Sequence, residues 1–145
     1  MMVKELHAGL NRRFYNVDLA ALLLRLTLGG LLLFHGWHKI HAGIGFILGM
    51  LSEHGVPAFI GYGIYIGEVV APILIILGIC SRLSALSVIG TMLVAWLLVD
   101  MDNTFRLNDV GAWALEDLMF YIMMSVVLLF LGSGKYSVMK DPDWR

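Results

Sequence analysis

The chain has little charge, little proline and almost no cysteine. Only 14% of its 145 residues are charged, three are proline and one, Cys80, is cysteine. A soluble domain of this size carries roughly 25% charge, so this chain lacks the residues that would solvate a surface. The lone cysteine excludes an intrachain disulfide and a C-x-x-C thiol-redox motif. A formal net charge of −1 removes the electrostatic case for nucleic acid. No P-loop, dinucleotide fingerprint, catalytic triad or calcium loop can be read anywhere. The first apolar run is a full span with no small-residue cleavage site after it, so no cleavable signal peptide is expected.

What the chain has in excess is apolar residues: 59% hydrophobic, with a mean hydropathy of +0.83. An apolar run crosses a bilayer core when it reaches ~20 residues. Four stretches qualify or come close, at about residues 19–38, 58–79, 83–99 and 113–131. The expected fold is therefore all-α and integral to the membrane, a single domain over 1–145 built as a four-transmembrane-helix up-down bundle. Two short helices flank the first span. Residues 1–17 place Leu6, Leu10 and Phe14 every four residues with Lys4, Arg12 and Arg13 between, the pattern of an interfacial helix. The run Lys39–Pro57 is apolar over only three turns and reads as a re-entrant or surface helix. Asp18 or Asn16 can cap the first span. Pro72, inside the second, should free a carbonyl and kink the helix.

Basic residues set the orientation. Lys4, Arg12, Arg13, Arg82, Lys135, Lys140 and Arg145 fall on one side, against Lys39 and Arg106 on the other. The positive-inside rule then puts both termini, including the tail 132–145, in the cytoplasm.

The informative residues are the ionisable ones inside the spans, where a guanidinium costs at least ~2.5–3.5 kcal/mol. Helical rise places Arg25 roughly 10 Å in from the cytoplasmic face and Glu68 roughly 16 Å in on the same scale. An Arg25–Glu68 ion pair is expected to relieve both. The same ruler puts His35 level with Glu116 near the outer mouth, with His38 and Lys39 a turn beyond and Asp117 adjacent. Both layers also have a structural reading. The pair could simply fix helix register, and the mouth could be solvated charge with Lys39 snorkelling. His35-x-x-His38-x-x-His41 invites a metal, but its histidines step around the helix by about 60° each. The other three spans hold no histidine, which argues against a haem; a zinc or copper site on His35 and His38 with Glu116 is the minor reading, and no metal ligands are assigned. Cys80 reads as packing.

The segments LLLRLTLGGLLLFHGWHKI, mid-span Glu68, LGICSRLSAL and LGSGKYSV together resemble the DoxX family of small four-helix membrane proteins. The resemblance runs over roughly residues 19–137. It rests on Arg25, His35-Gly36, Lys39, Glu68, Gly78 with Arg82, and Gly132-x-Gly134 with Tyr136-Ser137. Ser133 stands where the family usually has proline, and His38 is also a departure.

The resemblance implies a bacterial inner-membrane protein tied to quinone- or thiol-linked redox processes, acting with other redox-complex subunits. The expected function is a redox-associated subunit that binds a quinone or similar amphipathic molecule. Arg25 and Glu68 would act on the head group, and His35, Lys39 and Glu116 would line its entrance. No electron carrier can be read in the sequence, so any catalysis needs a partner or substrate-to-quinone transfer within the site. The rival expectations are a binding or transport module for a solute, lipid or metal, and a membrane scaffold. A homodimer is expected, seated on Gly29, Gly30, Gly61, Gly63 and Gly67.

Overall fold

Asn16 and Gly43 bracket the longest helix in the computed structural model, which describes residues 2–145. This helix, α2, runs Val17–Ala42. The Asn16 side chain accepts from the Leu19 amide at 3.0 Å, satisfying one of the free N–H groups of the first turn. Asp18, the other candidate cap, is engaged elsewhere. It accepts from the Lys135 amide at 2.8 Å and ion-pairs with the Lys135 ammonium at 3.4 Å. Before α2 lies α1, Met2–Phe14, whose residues are all exposed. After it comes the short α3, Gly45–Glu53.

The next helix, α4, covers Ala58–Leu77 and is irregular. It begins as a 3₁₀ turn over Ala58–Gly63, widens to a π-helix over Ile66–Val70, and is regular only over Ala71–Leu77. Pro72 explains the widening. It has no N–H to give the carbonyl of Glu68, four residues back, and the Ala71 amide bonds instead to Ile66. Helix α5, Ser81–Asn103, likewise loosens to π and 3₁₀ geometry beyond Ala95. Helix α6 spans Glu116–Leu131.

Three helices, α2, α4 and α5, are long and apolar enough to cross a membrane. Where a fourth span was expected from Trp113, helix α6 starts three residues later and has 16 residues, Trp113 to Leu115 belonging to the preceding loop. Among the described residues there is no strand, only an isolated bridge between Leu107 and Trp113. Helices α2, α4, α5 and α6 pack in a ring around Leu28, Leu32, Ile75, Val88, Met92 and Leu128. Outside that core lie large apolar side chains such as Phe34, Phe59, Phe120 and Phe130, all exposed. That inversion is what lipid contact requires.

Three of the five glycines assigned to a dimer interface are used within the chain. A Cβ at Gly29 would meet Ile76 and the Pro72 carbonyl, one at Gly61 would meet Leu48, and one at Gly67 would meet Thr91. Gly30 and Gly63 face open space.

Candidate functional site

The ionisable residues gather at two ends of the ring. At the tail end, Arg25 is 1% exposed. Its Nε donates to the Ile75 carbonyl at 2.8 Å and its Nη2 to Ile76 at 2.7 Å. Its Nη1 donates to Ser133 at 2.6 Å and Tyr136 at 2.9 Å. All four acceptors are main-chain carbonyls. Two belong to the last turn of α4, where carbonyls lack helical partners and the helix dipole is negative. Gly78, at φ 73°, ends that helix so that its amide and that of Ile79 bond back to Ile75 and Leu74. The Arg25 guanidinium lies against Gly78 where a side chain would stand.

The expected Arg25–Glu68 ion pair is not made. The sequence ruler set the starts of α2 and the end of α4 on one plane. In the structure α2 begins further out, so Arg25 lies level with Gly78, Gly29 with Pro72 and Ile76, and Gly36 with Glu68. The offset is about six residues along the helix, roughly 9 Å.

At the loop end, that register gives Glu68 a different partner. Glu68 is 4% exposed and pairs with the Lys39 ammonium through Oε1. Gly36, one turn before Lys39, lets α2 approach closely: a Cβ there would overlap the Glu68 carbonyl, the one denied its i+4 donor by Pro72. Glu68 Oε2 is buried without a hydrogen-bond partner. The π segment thus presents a carboxylate with one oxygen committed and one uncommitted. Tyr65 ties α4 to the same turn of α2, its hydroxyl donating to the Lys39 main-chain carbonyl at 3.3 Å.

Lys39 also lines a groove of about 570 Å³ between α3, α4 and α5. Its α5 wall is Ser87, Thr91, Val94 and Leu98 at helical spacing, reaching Asp100, and its other walls include Phe46, Ile47 and Ile64. The groove is of a size that takes a small ligand. It is apolar except for Lys39, the two hydroxyls and Asp100. The Thr91 hydroxyl is spent on the Ser87 carbonyl at 2.9 Å.

Of the other expected site residues, His35 bonds through Nε2 to the Tyr121 hydroxyl at 3.2 Å, with the rings edge to face. Glu116, expected beside His35, is exposed at the start of α6, one and a half turns from Tyr121. The same offset that misplaced Arg25 misplaced this pair. His41 donates from Nδ1 to the Trp37 carbonyl at 2.9 Å, and His38 is exposed. Among the described residues, no three His, Cys, Asp or Glu side chains are gathered for a metal. Tyr121 was not identifiable from the sequence, where it reads as one more aromatic in an apolar run.

Residues 20–101 match the family model described as DoxX. An uncharacterized protein of Haemophilus influenzae is 32% identical over 84 residues, 57% of this chain and 54% of that protein. The chain thus spans about half the length of this relative. No solved structure matches.

Proposed function

This chain belongs to the DoxX family, and from that premise we propose that it is a redox-associated membrane subunit binding a quinone-class head group at Lys39 and Glu68. The observation that carries the reading is the double placement of Lys39. Its ammonium is tied to a buried carboxylate, and Lys39 also lines an apolar groove. A quinone needs an apolar slot for its ring and tail, a donor for its carbonyl and a group that can exchange protons. The groove, Lys39 and Glu68 fit that list. A bound quinone would supply two-electron redox chemistry, and the chain's residues would orient its head and exclude water.

In this reading Arg25 is architectural rather than catalytic, and Glu116 is peripheral. The bundle has four spans, α6 being the fourth. Helix α1 lies on the membrane surface, and the tail end faces the cytoplasm of a bacterial inner membrane. Partner redox subunits supply or accept electrons.

The broken geometry of α4 favours a second reading, a non-catalytic carrier for a small solute or lipid, since transporters bind at interrupted helices. Gentle extraction followed by mass spectrometry separates the two. A quinone that co-purifies with the native chain and is lost from Glu68→Gln supports the first. A phospholipid, or unchanged binding of a quinone analogue to a folded Glu68→Gln protein, removes it.

A further inference from the structure

Helix α1 buries nothing against the rest of the described chain. Every residue from Met2 to Phe14 is exposed, the apolar Val3, Leu6, Leu10 and Phe14 included. An isolated helix of 13 residues is marginal in water. The support for α1 therefore lies outside the chain. At about 100° per residue, those four apolar side chains share an arc of roughly 80°. Arg13 and His7 border that arc on its two sides, and Lys4 lies further round beyond His7. Glu5 and Arg12 face the opposite way, the Arg12 Nε turned to the Ala8 carbonyl at 3.4 Å.

The tether is short. Only Tyr15 and Asn16 separate α1 from α2, a link that reaches ~11 Å at most. Asn16 is extended, at φ −144° and ψ 91°, so the two helices do not form one continuous rod. The C-terminal end of α1 is thus held at the border where the first apolar span begins. Asp18, the acid nearest that border, is already taken by the Lys135 amide and ammonium.

We propose that α1 docks on the head groups of an anionic lipid leaflet at the tail end. Val3, Leu6, Leu10 and Phe14 enter the upper acyl region, and Arg13 and Lys4 reach lipid phosphates. An apolar arc alone would lie on any bilayer. A basic border with the one acid of the helix turned away selects negative charge, by about fivefold for each basic residue near the surface. A second copy laid on the same arc would instead set one basic border against another. Arg12 and Arg13 also suit the negative end of the helix dipole, so lipid charge, not helix content, is the variable that decides. This names the lipid that the surface placement of α1 calls for, and it stands apart from the quinone site at the loop end.

The test uses the full chain in nanodiscs, in a Cys80→Ser background, with a nitroxide label on Leu10→Cys or Ala8→Cys. One set of discs is phosphatidylcholine alone and the other holds phosphatidylglycerol as well. In the anionic discs the Leu10 label is expected to be shielded from a water-soluble nickel chelate, and the Ala8 label to stay open to it. The ratio of docked to free helix, read from the two-component spectrum, is expected to fall at least fivefold in neutral discs. Lys4→Gln with Arg13→Gln should give the same fall in anionic discs, as should molar salt. Lys4→Arg with Arg13→Lys should keep the docking. A ratio that is equal in the two lipids overturns the recognition of charge. An undocked α1 in both, or dipolar broadening between Leu10 labels of neighbouring chains, overturns the lipid surface as its partner. Quinone-analogue binding on the same discs is expected to be unmoved by Lys4→Gln with Arg13→Gln, and its loss would overturn the separation of α1 from that site.

Discussion

Gly36 lies against the main-chain carbonyl of Glu68, which loses its usual i+4 donor at Pro72. That contact sets the spacing of α2 and α4 and so brings Lys39 to Glu68. Gly36→Ala inserts a methyl into backbone that cannot yield as a side chain would. Overpacking of this kind costs about 1–3 kcal/mol. Thermal unfolding in detergent should show the loss, while Gly30→Ala, which meets open space, should be neutral or slightly stabilising. Equal effects at the two glycines would contradict the close approach.

Arg25 and Glu68 have no partner in common, so their removals should add. Arg25→Met strips the donors from four carbonyls and is expected to cost about 3–5 kcal/mol. Arg25→Lys, with a point charge in place of a fork, should recover only part of that. The Arg25→Met, Glu68→Gln double variant should show the sum of the two single losses. A double variant more stable than Arg25→Met alone would restore the ion pair that the sequence suggested.

Lys39 and Glu68 should behave in the opposite way. Lys39→Met leaves a buried carboxylate unpaired, and Glu68→Leu leaves an ammonium beside apolar walls. Each single change should destabilise the chain more than the Lys39→Met, Glu68→Leu double change. A double-mutant cycle on unfolding in detergent reads this coupling.

Gly90 borders the groove and nothing approaches it. Gly90→Leu should fill part of the space, weakening a quinone analogue by about tenfold, the equivalent of ~1.4 kcal/mol. Its unfolding temperature should not fall. An unaffected affinity would place the ligand outside the groove.

Much of this architecture was legible in the sequence, and the errors share one cause. Apolar runs located the helices, and Pro72 announced the freed carbonyl. Lys39 and Glu68 stood out in the sequence because ionisable groups inside apolar runs need a reason. Their pairing was not legible. Helical rise gives depth along one helix, but the offset between helices is decided by packing. Here Gly29 and Gly36 on α2 nest against Pro72, Ile76 and Glu68 on α4, sliding Arg25 toward the tail. The carbonyls that solvate Arg25 carry no side-chain signature, so a search for an acidic partner could not find them. The start of α6 was misread because Trp113 is apolar, although it sits in a loop, where its indole donates to the Thr104 carbonyl at 2.8 Å.

The threading of residues 133–136 across the end of α4 has a consequence for biogenesis. Arg25 is made early, yet its acceptors lie 50, 51, 108 and 111 residues downstream. While the ribosome is still translating, the first hydrophobic segment carries a charge without its cage. It must shelter that charge in water, in lipid headgroups or in the insertion machinery. The second segment supplies half of the cage, and the other half arrives only after the last helix has been released. Insertion and completion are therefore separate events in this chain, and Arg25 marks the interval between them.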